Sequence, residues 1–455
     1  SRTAAFFANG TYSYQGKYNL NGTIRYEGSN MLGRSRSARW LPTWSISGSW
    51  NMHEEKFFDI FRPTLSHFTL KASYSLTADR GPASITNSTS IFSAYNPYRP
   101  FSTDKESGIS LYQTGNDELT YEKKHEWNFG VDAGFLNNRI NVTLDVYRRN
   151  NYDLIGVVNT QGVNRSAMSY GNVASMKSHG EELSISTTNI KNKDFSWTTN
   201  FIYSHAVNEV TELMSRANTM DYISGSGFAM TGYPVRALFS IPFVGLNENG
   251  YPMFINEKGN VTTTEINFQE RDNNSYLKYE GPTDPVYTGS LGNIFTYKGF
   301  RLNIFLTYSF GNVVRLDPVF SYKYNDLSSM TKEFKNRWMM PGDEKVTNVP
   351  VILSKREYND NYELHYGYNA YNYSTERVAK GDFIRMKEIS FGYDFPSKWF
   401  KGMALNSLSV KLQGTDLFLI YADKKLNGQD PEFFRAGGVS APMPKQFTLT
   451  VKAGF

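Results

Sequence analysis

Residues 446–455 read Gln-Phe-Thr-Leu-Thr-Val-Lys-Ala-Gly-Phe, an unbroken alternation of polar and apolar side chains. In an extended strand, successive side chains point to opposite faces. Phe447, Leu449, Val451, Ala453 and Phe455 therefore share one face, and Gln446, Thr448, Thr450, Lys452 and Gly454 the other. One such strand fits many β proteins. The fold is decided by how often the pattern recurs.

It recurs along the whole chain. Tyr18, Leu20, Gly22, Ile24 and Tyr26 share a face, as do Phe68, Leu70, Ala72, Tyr74 and Leu76. Ile140, Val142, Leu144 and Val146 alternate with Asn141, Thr143 and Asp145, and Leu302, Ile304, Leu306, Tyr308 and Phe310 repeat the motif. This period of two predicts half-apolar strands throughout. Expected spans are 4–14, 18–28, 43–52, the run around 68–76, 121–135, the run from 140, 180–190, 195–207, 286–297, 301–311, 383–395, the run around 408–412, and 446–455. That is about thirteen strands, near the ten-residue length of tilted membrane strands.

Their connections alternate between short and long. Gln15-Gly16-Lys17, Asn137-Asn138, Lys191–Asp194 and Lys298-Gly299-Phe300 are tight, whereas the segments between about 208 and 285, and between about 312 and 380, are long. Short turns at one rim and long loops at the other are the habit of a transmembrane antiparallel β-barrel. Propellers and jelly rolls have shorter strands and short connections on both sides.

Composition agrees. The 455 residues include 32 Phe, 31 Tyr and 7 Trp, spread without an obvious linker, and no Cys. Mean hydropathy is −0.49, and no run approaches the ~18 apolar residues of a spanning helix. A barrel scores this way too, because half of every strand is polar. The net charge of +5 comes from 48 basic and 43 acidic residues with no basic tract, so no nucleic-acid surface is expected.

An ordered series of motifs gives the pattern a family. Lys17-Tyr18 through Arg25-Tyr-Glu-Gly28-Ser29, Leu41-Pro42-Thr43-Trp44-Ser45, Asn138-Arg139-Ile140 through Tyr147, and Asp153-Leu154-Ile155 come first. Asn172-Val173, Gly180-Glu-Glu182-Leu183, Tyr297–Phe300, Arg337-Trp338, Pro341-Gly342-Asp343, Gly381 through Tyr393, Asp430-Pro431-Glu432 and Pro444-Lys-Gln-Phe-Thr complete it. In this order the chain resembles the C-terminal barrel part of SusC-like TonB-dependent transporters across all 455 residues. Ala174, where the family usually has Gly, and Asp416, where it commonly has Asn, are departures.

The resemblance implies part of a 22-stranded barrel whose plug domain and first strands are not in residues 1–455. It implies energised import of oligosaccharides or peptides, a SusD-like lipoprotein as lid, and coupling to TonB–ExbB–ExbD through the plug. It also implies recognition by the outer-membrane insertase, for which Phe455 is the expected assembly signal. A passive porin-like or structural barrel is the alternative, and a surface enzyme or glycan-binding protein a more distant one.

No catalytic or metal-binding constellation is expected, and no cofactor. His53, His67, His125, His179, His205 and His365 lack ligand spacing. Asp343-Glu344 and Asp430/Glu432 could be read as paired acids, but loop charges or calcium-type ligands explain them more economically. Loop aromatics are candidates for contact with substrate or lid, among them Tyr95, Tyr98, Phe101 and Tyr112. The densest set is Tyr358, Tyr362, Tyr366, Tyr368, Tyr371 and Tyr373, with packing of loop on loop as the other role.

Overall fold

The computed structural model describes residues 2–81, 89–96, 107–113, 115–159, 168–214, 217–225, 227–319, 331–401, 404–433 and 444–455. Thirteen strands form one antiparallel sheet in chain order: β1 (Thr3–Tyr14), β2 (Tyr18–Ser29), β3 (Trp40–Asn51), β4 (Leu65–Asp79), β5 (Glu122–Phe135), β6 (Ile140–Asn159), β7 (Met168–Lys191), β8 (Phe195–Leu213), β9 (Tyr287–Tyr297), β10 (Phe300–Phe310), β11 (Phe383–Asp394), β12 (Ser407–Ala422) and β13 (Gln446–Gly454). Each strand pairs only with its sequence neighbours within this sheet, so β1 and β13 are its edges. No helix among the described residues is long and apolar enough to cross a membrane. Two compact units are present, one built mainly of residues up to Leu183 and the other mainly from Ser184 onward.

Register carries the alternation across the sheet. Leu20 lies opposite Gly48, Leu70 opposite Val131, Val131 opposite Leu144, and Leu412 opposite both Phe391 and Leu449. Residues facing one another in a ladder share a face, so within each unit the apolar sides join into one surface. Phe447 is 72% and Phe455 85% exposed on it, which suits side chains that turn to lipid. The other face is polar and braced across strands: Lys71 pairs with Asp132, and Glu126 with Lys124 and Arg149.

Aromatic residues mark the two margins of the apolar surface. Tyr18 stacks on Trp50 at 6.1 Å and Phe300 lies 4.3 Å from Tyr393 at the short-turn margin. Tyr26 with Trp40 at 5.0 Å and His205 with Tyr287 at 4.9 Å occupy the other. Amphipathic rings favour a level where one end is apolar and the other wet.

The tight turns, of three, four and two residues, carry left-handed backbone: Gln15 and Gly16 at φ 52° and 70°, Leu136, Asn137 and Asn138 at 52°, 57° and 60°, Lys298 and Gly299 at 45° and 89°. Their twist matches that of the strands, which fixes hairpin register. Between β3 and β4, two short 3₁₀ turns place Glu55 where it accepts from Lys17 Nζ at 2.9 Å and the Tyr18 hydroxyl at 2.6 Å.

Two expectations change in detail. β7 starts at 168 rather than 180, and β8 ends at 213 rather than 207, because polar residues such as His179 and Glu209 interrupt the alternation without interrupting the ladder. The long connections are also folded. The 214–286 excursion contains helix Thr219–Ile223, a pair made by Ala237–Ser240 and Lys278–Pro282, and a small sheet of Phe243–Leu246, Pro252–Ile255 and Val261–Thr262.

Candidate ligand-contact region at the outer ends of the strands

The second unit gathers its buried polar groups near the long-loop ends of β9, β10 and β11. Ser290, Ser309 and Arg385, all on the polar face, are less than a tenth exposed there, so folded excursions cover that face. Leu316, Val314, Ala379 and Leu426 form a small apolar core within the excursions.

Arg315 ties four segments together. One guanidinium nitrogen donates to Ser240 Oγ at 3.0 Å and Ser374 O at 2.9 Å, the other to Phe239 O at 2.6 Å and Ile223 O at 3.3 Å. None of these acceptors is a carboxylate. Burial accordingly pulls its pKa down to about 10, against the opposing charge of Glu280. Arg377 makes a second anchor, bonding to Glu333 and to Asp317 O. Arg385 makes a third with Asp430, whose carboxylate oxygens lie 2.5 and 2.6 Å away, and with Glu432 at 3.2 Å.

Arg315, and Glu432 from the third anchor, border a cavity of 530 Å³. Thr288, Thr307 and Ser309 line it from the strands, and Arg236, Asp284, Asn312, Arg315 and Glu432 from the excursions. Arg236 and Asp284 pair at 2.7 Å. Hydroxyls, an amide and charges of both signs can bind a polar organic ligand by hydrogen bonds. They do not form a nucleophile–base arrangement.

The tyrosine-rich stretch forms two helices, Lys355–Asp360 and Leu364–Asn372, started at Ser354, whose hydroxyl accepts from Glu357 N at 3.1 Å. Helical spacing splits the tyrosines between opposite sides. Tyr368 and Tyr371 are core residues: the Tyr368 hydroxyl donates to Val351 O at 2.7 Å, and Tyr371 packs edge-on against Phe243. Burial raises both phenols far above their ordinary range. Their contacts are those of loop packing, the other role open to this set. Tyr358 and Tyr373 are half-buried, and only Tyr362 and Tyr366 stay open. Tyr95 is exposed; Tyr98, Phe101 and the side chain of Tyr112 lie outside the described residues.

The paired acids are occupied structurally. Asp343 accepts from the amides of Met339 and Met340, and Glu344 from Gly342 N and Trp338 Nε1. Among the described residues no group of three or more His, Asp or Glu could hold a metal. Arg315 and Asn312 were missed in the sequence, where only a basic residue inside an apolar run (Val313-Val-Arg-Leu316) marks the spot.

With this architecture in place, comparison supplies the family: a model of the TonB dependent receptor-like β-barrel matches residues 1–317, and the chain belongs to that family of outer-membrane proteins. It is 26% identical to the TonB-dependent receptor SusC of Bacteroides thetaiotaomicron, over 98% of the chain and 43% of SusC. It is 25% identical to TonB-dependent receptor P39 of Formosa agariphila, over 96% of the chain and 44% of that receptor. The fold matches a solved structure of the RagAB peptide transporter with a TM-score of 0.79 at 22% identity, covering 100% of this chain and 47% of the other. The chain thus spans less than half the length of the curated relatives it matches.

Proposed function

We propose that the polypeptide carrying this barrel segment imports oligosaccharides or peptides across the outer membrane. Its energy comes through TonB and ExbB–ExbD, and a SusD-like surface lipoprotein works with it as a lid. Membership of the TonB-dependent receptor family over residues 1–317 carries the reading. The likeness to SusC, and to RagA-type barrels whose complex is described as a peptide importer, supports the kind of cargo and partner. Within this reading, the 530 Å³ cavity and the open rings of Tyr362 and Tyr366 are the contact candidates for cargo or lid.

Uptake of labelled oligosaccharides and of labelled peptides by cells producing the whole polypeptide with its lipoprotein tests this. Import of one class should stop on adding a protonophore and in cells lacking TonB. Uptake of either class that persists under both conditions would identify a passive pore.

A further inference from the structure

In the first unit the apolar face ends at a polar level. Along β6 that face runs Ile140, Val142, Leu144 and Val146, and the next residue on it is Arg148. Arg148 faces Trp127 on β5, His125 faces Asn150 one level further out, and Lys123 faces Tyr152 beyond them. From Ile140 to Arg148 is about 27 Å along the strand at ~3.4 Å per residue, or roughly 21 Å in height at a ~40° tilt. The apolar band of a barrel is about 25 Å tall. The flexible stem of Arg148 therefore carries its guanidinium to the headgroup level on the long-loop side.

The rings around this level hold one another. Tyr74 stacks on Trp127 at 4.0 Å and on His125 at 5.6 Å, and His125 stacks on Tyr152 at 5.7 Å. Trp44 meets Tyr74 edge-on at 5.2 Å, and the Tyr74 hydroxyl lies 2.9 Å from His125 Nδ1. Lys123 Nζ is taken up by Asp153 at 2.6 Å. Arg148 is the exception. It is exposed, and its guanidinium has no ion pair, hydrogen bond or ring contact among the described residues. Its neighbour Arg149, on the polar face, is held by Glu126 at 3.0 and 3.3 Å. The side-chain amide of Asn150 is likewise exposed and without a partner among the described residues.

An unpaired cation is costly in hydrocarbon, whereas at the headgroup level it meets phosphate, which a guanidinium binds through paired N–H donors. We propose that Arg148 and Asn150, beside the stacked rings of Trp127 and His125, bind the phosphate and adjoining sugar of a glycolipid in the outer leaflet. Charge complementarity selects the phosphate. The long-loop side selects the leaflet, and the exposed amide supplies both donor and acceptor to sugar hydroxyls. The inference rests on which face meets lipid and is independent of what the protein transports.

Native mass spectrometry of the whole polypeptide, extracted in detergent and titrated with purified lipid A, tests the site. Lipid A should bind ahead of its phosphate-free form, of phosphatidic acid and of inorganic phosphate. Arg148→Gln should weaken lipid A binding at least about tenfold and Arg148→Lys less, since Lys keeps the charge and loses the paired donors. Arg301→Gln, which removes an exposed cation from the polar face, should leave it unchanged. Heat-modifiability reports assembly of each variant. Lipid A binding that survives Arg148→Gln would overturn the proposal. So would equal binding of the phosphate-free form, of phosphatidic acid or of free phosphate by the unaltered protein.

Discussion

Arg385 and Asp430 stand 45 residues apart in the chain, yet their charged groups meet at 2.5 Å, each side chain less than a tenth exposed. One is on strand β11, and the other opens the short Asp-Pro-Glu turn after β12. The pair thereby pins that turn to the polar face of the sheet. Removing one partner of such a pair strands a buried charge. Arg385→Met should cost about 3–5 kcal/mol and Arg385→Met/Asp430→Leu much less. Hydrogen exchange of residues 423–433 and thermal melts of the detergent-solubilised barrel would show this; equal losses in single and double variants would count against a stabilising pair.

The two faces of the sheet should differ in tolerance. Lys at Val142, Leu144, Ile304 or Leu306 is expected to cost about 2–4 kcal/mol at mid-membrane, Asp less, and either change at Thr143 little. Asn303, on the polar face, donates to Glu388 at 3.1 Å and should be somewhat more sensitive than Thr143. Refolding titrations into lipid would measure the difference, and similar costs on both faces would reverse the face assignment.

Acid should loosen the tyrosine helices. Burial holds His365 below its ordinary pKa, with the rings of Tyr358 and Tyr362 at 4.1 and 4.9 Å. Between the lowered folded value and about 6.5, the unfolded segment binds the proton and the folded one does not. Stability from this group is therefore full above about 6.5 and falls with pH through that window. Limited proteolysis near residues 355–373 should accelerate from pH 7.5 to 5.5, and His365→Gln should flatten the dependence. A slope unchanged by that substitution would assign it to other groups.

Much of this architecture can be read from alternation alone, because an apolar face is demanded by lipid at every strand. Tight turns are legible for a similarly local reason: Asn137-Asn138 and Gln15-Gly16 contain residues suited to left-handed backbone. Asp416 illustrates the limit. Its φ of 53° fits an Asn-like position, and its carboxylate meets Lys387 at 2.6 Å, a contact set by a local register shift that alternation cannot reveal. The contact region is less legible still. Tyr371 and Tyr366 look alike in sequence and differ only in which side of a short helix meets Phe243. Arg315 binds four oxygens that are scattered between residues 223 and 374.

Phe455 continues the apolar face of β13 and is 85% exposed. We propose that the insertase recognises it during assembly. Deleting it should reduce heat-modifiable barrel in the outer membrane at unchanged expression; normal assembly would leave Phe455 as an ordinary margin residue.

The edges of the sheet lead to a further expectation. Unpaired backbone amides in lipid cost several kcal/mol each, so β1 and β13 need partners in the membrane. We propose that they pair with about nine further strands of a 22-stranded barrel that also holds a plug. In the whole polypeptide, amides along both edges should resist hydrogen exchange like those of β10. Direct pairing of β1 with β13 would argue for a closed thirteen-stranded barrel.

Strands β6, β7 and β8 run 20, 24 and 19 residues, although about ten suffice to cross a membrane. At ~3.3 Å per residue and a ~40° tilt, the surplus rises roughly 20–35 Å beyond the bilayer. A Gram-negative cell surface is coated at that height by the sugar chains of its own lipids. The long strands would act as a parapet, raising the rim of the sheet into that coat instead of leaving it level with the bilayer.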